Sequence, residues 1–412
     1  MSSAASDVAG LTYDAALAAI QARGRFGIRL GLGRTRALLR ELGNPQDAFR
    51  GALVGGTNGK GSVLALVTSA LRAAGLRAGE TPKPHLVTYR ERLQISGRLV
   101  DPATFAELVD TALGAADRVA RRHGEPTEFE LLTAVAFAWF AAEGVDLAVV
   151  EVGLGGRLDA THAWDGGVAA ITNVDLDHTE RLGSTISAIA HEKAAIIMRG
   201  DLAVTGADGD GLAVIRRRAG RVAAPLRIAR PAPLLGWDRD GISVELAGLG
   251  ETRVGLRGRH QAANVAVADA ILDALAEAGI ADVGPDARRT GYAEARWPGR
   301  LELLTTGSAG AAREVLLDGA HNPAGAAVLA QALDDLRPFL AGGQEQPAVP
   351  ITLVIGAMAD KDIAGIVGAL AGSAALDGAR LICTQVGEAR ALPAEELAAR
   401  WRVARPVDPI EV

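Results

Sequence analysis

Short apolar runs alternate with helical patterns along most of the chain, which predicts a mainly parallel sheet covered by helices. Residues 49–54 read as a buried strand, followed by a glycine-rich turn and a helix over 62–74. Asp101 and Pro102 supply a cap and a first-turn proline for the next helix. That helix carries Phe105, Leu108, Val109, Ala112, Leu113, Ala116 and Val119 at spacings of three and four, an apolar stripe. Thr127 and Glu130 match a capping box ahead of another helix. Residues 146–152 and 168–174 are continuous apolar strands that end in polar residues, where open parallel sheets place their ligands.

Between residues 225 and 256 the pattern shifts to short alternating strands such as 242–246, read as an antiparallel flap on the first domain. A helix over 261–278 closes that domain, and the turn-rich stretch Arg296, Trp297, Pro298, Gly299, Arg300 marks the boundary. Beyond it, 314–317, 351–355 and 379–385 read as strands of a smaller second α/β domain, with 341–350 as a surface loop. The expected domains are therefore 1–296 and 297–412.

Composition narrows the class. With 412 residues, 49% apolar and 22% charged, the chain fits a globular protein of two domains. A net charge of −6 gives no broad attraction to nucleic acid or anionic membrane. The single cysteine, Cys383, excludes an internal disulfide, and no secretion signal opens the chain, so a cytoplasmic location is expected. Lysine usage is more telling. Of 43 basic residues only Lys60, Lys83, Lys193 and Lys361 are lysine. An amine acts as a compact point charge, loses its proton, or reacts with an electrophile, where a guanidinium does none of these. Three of the four stand inside glycine- or histidine-bearing motifs.

Thr57, Asn58, Gly59, Lys60, Gly61 and Ser62 follow the first buried strand directly. Glycines there allow successive N–H groups to face one anion at a helix N-terminus, with Lys60 on the outer phosphates and Ser62 available to magnesium. Gly61 intervenes between Lys60 and the hydroxyl residue, unlike the common form of the motif.

The Thr-Asn-Gly-Lys-Gly-Ser run resembles the nucleotide loop of Mur-type amide ligases, within them the folylpolyglutamate and dihydrofolate synthases. The stretch from Pro84 to Arg92 resembles that family's folate loop. The run from Glu151 to Thr161 resembles one specific to the folate branch, and the stretch from Asp318 to Pro323 resembles its second-domain signature. The resemblance implies a P-loop Mur-ligase-like first domain and a Rossmann-like second one. It implies a monomer acting on small molecules: ATP, L-glutamate, and a folate or dihydropteroate. ATP as substrate and Mg2+ are expected, with a monovalent cation as a further candidate.

Site roles follow from the same resemblance. Glu151 and His178, at neighbouring strand ends, are implied to hold the metal; from chemistry alone an imidazole would not be proposed for magnesium. Lys193 is implied to be carbamylated by carbon dioxide, which only an amine allows; a surface lysine paired with Glu192 or Asp177 is the plainer alternative. Thr127 and Asp159 are implied at the pterin or folate pocket, with His85 on the folate loop, although Thr127 is equally explained as a cap and Asp159 as a partner for Arg157. Asn264, Arg300, Asp318 and His321 match nucleotide-side residues, His321 with a catalytic role. Asp360, Lys361 and Asp362 echo a further motif or merely start a helix. The expected chemistry is γ-phosphoryl transfer to a carboxylate and attack by the glutamate amine on the mixed anhydride, with domains closing to exclude water.

Several positions depart from the family pattern. Lys83 stands where a magnesium-binding serine is usual; a protonated amine cannot ligate a metal, but can meet a phosphate or a substrate carboxylate. His162 replaces an Asn, Ala195 a Gly, and Gly33 an acidic residue in the loop 30–34. The resemblance would continue past Val412 by a helix and a strand, so either the second domain is short or the sequence is truncated. The competing readings are a Mur-type ligase acting on a cell-wall nucleotide, which the run from Glu151 to Thr161 opposes, and a nucleotide switch without ligase chemistry.

Overall fold

The structure is a computed structural model that describes residues 10–24, 27, 29–307, 313–340, 351–405 and 410–412. The loop expected at 341–350 lies outside the described residues. The chain divides into two compact units, one running up to Arg230 together with Ala266–Gly291, the other formed by Pro231–Val265 with Tyr292–Val412. This differs from a single cut after Arg296, because the middle of the chain passes to the second unit and returns.

The first unit is built on an eight-stranded sheet. Its spatial order is Arg98–Leu99, Gln94–Ile95, Ala78–Thr81, Leu147–Glu151, Gly51–Gly55, Gly167–Ile171, Leu202–Thr205, Leu226–Ile228. The six strands from Ala78–Thr81 onward are parallel, so their carboxyl ends share one rim. Every residue of Gly51–Gly55 and Leu147–Glu151 is buried, which explains their unbroken apolar runs. On one face, helices Pro102–His123 and Glu128–Glu143 pack around Phe49, Phe137, Phe140 and Trp164, whose neighbouring ring centroids lie 5.6–5.9 Å apart. Such ring pairs add roughly 1 kcal/mol each beyond the area they bury. The expected caps are present: Asp101 accepts from the amides of Ala103 and Thr104, and Thr127 with Glu130 closes a capping box. The loop expected over 30–34 is shorter, since a helix Gly33–Glu41 begins inside it.

The antiparallel sheet expected after residue 225 is present as Leu234–Asp238, Gly241–Leu246 and Gly250–Val254. It belongs to the second unit, for a physical reason. The Arg259 guanidinium stacks 3.9 Å above the Trp237 ring and grips the Asp335 carboxylate through two hydrogen bonds of 2.6 and 2.7 Å. Arg239 pairs with Glu314. The rest of this unit holds an antiparallel pair, Glu302–Thr306 with Arg313–Leu317, and a parallel sheet of Thr352–Ile355, Arg380–Cys383 and Ile410–Glu411. Helices Pro323–Leu336, Ile363–Ala371 and Ala394–Ala404 enclose a core around Leu381, Cys383 and Trp401. Asp362 caps the second of these through the amide of Gly365 at 2.9 Å, so the stretch Asp360 to Asp362 does start a helix.

At the opposite, amino-terminal end of the first unit's sheet sits a pair of carboxyl groups. Asp201 is 2% exposed, accepts the Met198 amide at 2.6 Å and is hydrogen-bonded to Asp165. Burial, and then the Asp165 charge, push its pKa up to about 7 against the Met198 hydrogen bond. The folded state thus holds a proton that the unfolded chain releases from about pH 4 upward, and stability from this group falls as pH rises through that window toward 7. An asparagine reproduces the protonated carboxyl without the charge. Melting curves of Asp201→Asn should nearly match the parent near pH 3, where the carboxyl is protonated in both states, and draw above it as pH climbs from about 4 toward 7. At pH 8 they should lie above it, by the equivalent of roughly 1–3 kcal/mol.

Candidate active site

The rim of the first unit gathers the predicted residues from several loops. After strand Gly51–Gly55 the chain turns at Gly56, whose φ of +142° and whose missing Cβ, which would fall 1.9 Å from Thr172 Oγ1, suit no other residue. Gly59, at φ +79°, then turns the chain into helix Lys60–Ala73, with Gly61 and Ser62 in its first turn. The loop is braced from the next strand. Asn58 N–H donates to Asn173 Oδ1 at 2.8 Å, Thr57 N–H to the Asn173 carbonyl at 3.1 Å, and the Thr172 hydroxyl to the Asn58 carbonyl at 2.6 Å. The Thr57 hydroxyl donates to the Asp175 carbonyl at 3.2 Å and accepts from the Asp175 amide at 3.0 Å. Asn173 and Asp175 were not among the predicted site residues; their only sequence signal is the polar ending of an apolar strand.

Two ammonium groups converge inside this loop. Lys60 Nζ donates to the carbonyls of Gly56 and Thr57 at 3.1 and 2.9 Å, and Lys193 Nζ donates to the same Gly56 carbonyl at 2.8 Å. Lys193 is 4% exposed, on helix Ile186–Ala194. Burial, reinforced by the Lys60 charge, lowers its pKa to about 7, against the pull of Asp177 and Asp159. A large fraction of it is a neutral amine at physiological pH. Glu192 does not pair with it, being bonded to Arg157 at 2.9 Å.

Glu151 ends its strand beside the loop, its Cα paired with that of Val54, and is 3% exposed. Lys83 holds it twice: the Lys83 amide donates to Glu151 Oε2 at 3.0 Å, and the amine donates to the Glu151 carbonyl. As a residue Lys83 is partly exposed, but its amine is enclosed, and burial brings its pKa down to about 8 despite Asp159 and Glu151. His178 follows Asp175 by three residues in left-handed backbone, φ +49° and ψ +40°, a conformation that costs a non-glycine residue about 1 kcal/mol. Its ring Nε2 lies 3.8 Å from the Asp177 carboxylate.

Among the described residues, no group of three or more His, Cys, Asp and Glu side chains gathers into a metal site. The residues expected to hold a metal are Glu151, at the end of its strand, Ser62, in the first turn of helix Lys60–Ala73, and His178, just before helix Thr179–Leu182. Two oxygen donors beside a phosphate loop match magnesium, which completes its shell with substrate phosphate and water rather than an all-protein cage.

Of the residues expected at the acceptor, Asp159 is 4% exposed and accepts the Leu154 amide at 2.8 Å and the Thr161 hydroxyl at 2.6 Å. The proposed pairing with Arg157 is absent, because Arg157 is turned to Glu192. The Thr127 hydroxyl accepts the Glu130 amide at 3.3 Å, so its capping role is the one seen. His85 Nδ1 accepts from Arg92 Nε at 2.8 Å and its ring stacks 4.3 Å from Tyr89. Burial and the neighbouring guanidinium lower the pKa of His85.

The second unit holds the other predicted residues in two linked groups. Asp318 accepts the amides of Leu301 at 3.0 Å and Ala320 at 2.8 Å; its burial raises its pKa against these bonds and the nearby Arg300 charge. His321 Nδ1 lies 2.9 Å from the Gly319 carbonyl. Arg300 also faces His260, whose pKa burial and this charge lower to about 4. His260 contacts Gln261 at 3.0 Å, and Gln261 accepts from Asn264 at 2.8 Å.

Residues 54–272 match the Mur ligase middle domain, and residues 299–412 match the Mur ligase glutamate ligase domain. A loop that gathers ammonium groups beside a strand-end carboxylate on that fold defines an amide-forming ligase of the Mur class. The chain is 36% identical over 333 residues to the dihydrofolate synthase/folylpolyglutamate synthase of Bacillus subtilis, covering 78% of this chain and 76% of that one. Its structure resembles that of Mycobacterium tuberculosis folylpolyglutamate synthase complexed with ADP, with a TM-score of 0.84, 33% identity and coverage of 97% and 88%. It also resembles Escherichia coli FolC in complex with DHPP and ADP, with a TM-score of 0.79, 29% identity and coverage of 95% and 88%. The chain belongs to the folylpolyglutamate synthase/dihydrofolate synthase family. Among the described residues no helix is long and apolar enough to cross a membrane.

Proposed function

We propose that the protein joins L-glutamate to the carboxylate of a folate, of dihydropteroate, or of both, by way of an acyl phosphate made from ATP. The observation that carries this reading is the convergence of Lys60 and Lys193 on the Gly56 carbonyl, beside Glu151. The Lys60 ammonium and the loop's amides favour a polyphosphate chain, and the Lys60 charge, added to burial, keeps the neighbouring Lys193 amine open to CO2 by lowering its pKa.

The reaction follows from charge. A carboxylate resists amines because oxide is a poor leaving group. An acceptor carboxylate oxygen attacks the γ-phosphorus and ADP departs; the glutamate amine then attacks the carbonyl carbon, and phosphate leaves. Lys60 neutralises the phosphoryl oxygens as the transfer proceeds. Glu151, Ser62 and His178 are the residues that would hold magnesium, which would supply further neutralisation of the phosphates when bound. Lys193, as a carbamate, would add a carboxylate to that group. The backbone of Thr57 to Gly61 cradles the phosphates, and Asn264, Arg300, Asp318 and His321 are assigned to the nucleotide and glutamate side. Asp159, Thr127 and His85 are assigned to the acceptor side, Thr127 through the position of its helix.

The test is ADP release by the full chain with Mg2+ and ATP. Release should require both L-glutamate and a pteroate or folate acceptor. Hydrolysis indifferent to both would indicate a nucleotide switch, and release with a cell-wall nucleotide acceptor would indicate the other Mur chemistry.

A further inference from the structure

We propose that Thr81, Lys83 and Arg92 form a carboxylate subsite that takes the non-reacting carboxylate of an acceptor already bearing a glutamate. This rests on the ligase reading above and names the acceptors the site favours.

Thr81 ends its strand 4% exposed, and among the described residues its hydroxyl has no hydrogen-bond partner. Two residues on, the enclosed Lys83 amine donates to the Glu151 carbonyl and lies 5.1 Å from the centre of the Phe129 ring. An ammonium carries three donors, and this bond commits one. Arg92 lines the same recess. Among the described residues its one hydrogen bond runs from Nε to His85, which leaves its Nη donors uncommitted.

Leu132 and Ala136 form the apolar wall, and the recess offers about 10 Å3 for the centre of a water-sized sphere. That admits about one oxygen-sized group, such as one oxygen of a carboxylate, and is too little for a ring. Asp159 and Glu151 face the Lys83 ammonium, and Glu128, Glu151 and Glu91 face the Arg92 guanidinium, but the N–H donors left over and the unmatched hydroxyl still call for an acceptor group. A carboxylate supplies it, since its oxygens accept from a guanidinium fork.

The geometry also separates this anion from the reacting one. The acceptor's reacting carboxylate must meet the γ-phosphate at Lys60. A dihydropteroate-type acceptor has only that carboxylate, whereas a folate carries a second on its glutamyl tail. A subsite for the second therefore raises affinity for glutamylated acceptors alone.

The test compares dissociation constants for tetrahydrofolate and dihydropteroate, by calorimetry on the full chain with ADP and Mg2+, in the parent and in Lys83→Met. The ratio of the two constants should shift at least tenfold against tetrahydrofolate, the scale of a lost charged hydrogen bond. If Lys83 only positions Glu151, kcat falls alike for both acceptors and the affinity ratio stays put, which overturns the subsite. Thr81→Val, which spares both Lys83 contacts to Glu151, should move the ratio the same way by a smaller factor; an unmoved ratio there again counts against the subsite. A parent enzyme that turns over neither acceptor refutes the ligase reading itself. Turnover with an unmoved ratio refutes only the subsite.

Discussion

Lys60→Met should lower glutamate-dependent ADP release about a thousandfold, the scale seen when a preorganised charge is removed from a transition state. The side chain is only partly buried, at the start of helix Lys60–Ala73, and its amine bonds to the Gly56 and Thr57 carbonyls. Methionine keeps the stem and the helix propensity, so the melting temperature should change little. The loop amides and their braces from Asn173 and Thr172 remain, so ADP should still bind, within about a factor of ten. Steady-state kinetics beside ADP titration checks both parts. A variant that keeps more than a tenth of the parent rate would place the phosphoryl group somewhere other than this loop.

The second large effect is expected at Lys193. Lys193→Ala should lose about a hundredfold or more in rate, and Lys193→Arg should fare no better, because a guanidinium stays protonated and cannot become a carbamate. Carbamate formation consumes a neutral amine and CO2 and releases a proton. The pKa of Lys193 is lowered to about 7, so the reactive fraction rises with pH up to that point and levels off above it. At fixed dissolved CO2, enzyme stripped of CO2 at low pH should regain activity at a rate that climbs from pH 6 to 7.5 and then flattens. A small carboxylic acid added to Lys193→Ala should restore part of the rate. No rescue, together with indifference of the parent to CO2, would leave Lys193 as a structural lysine on the Gly56 carbonyl.

Much of this site is local in the chain and was legible there. The glycines around Lys60, the cap at Asp101, the box at Thr127 and Glu130, and the acid ending an apolar strand at Glu151 each depend on a few adjacent residues. Features set by distant contacts were not. Nothing near Asn58 announces that Asn173 will brace it from 115 residues away. The antiparallel strands after residue 225 were readable as strands. Their place in the second unit is decided by Trp237, Arg259 and Asp335, which meet only on folding. Arg157 looked like a partner for Asp159 by proximity in sequence, yet its salt bridge goes to Glu192, 35 residues on. The two-residue strands Gln94–Ile95 and Arg98–Leu99 are too short to show any period. Thr81 carried no signal in the sequence and Arg92 only its place in the stretch that resembles the folate loop, since an unmatched hydroxyl and a half-committed guanidinium are visible only in three dimensions.

Everything here depends on an acceptor oxygen becoming bonded to the γ-phosphorus of ATP. Supplying the acceptor with 18O in its reacting carboxylate, together with ATP and L-glutamate, and weighing the released phosphate by mass spectrometry follows that oxygen directly. One 18O atom per phosphate is the expected result. Phosphate without label, formed alongside the amide, would mean that the carboxylate is activated by some other route.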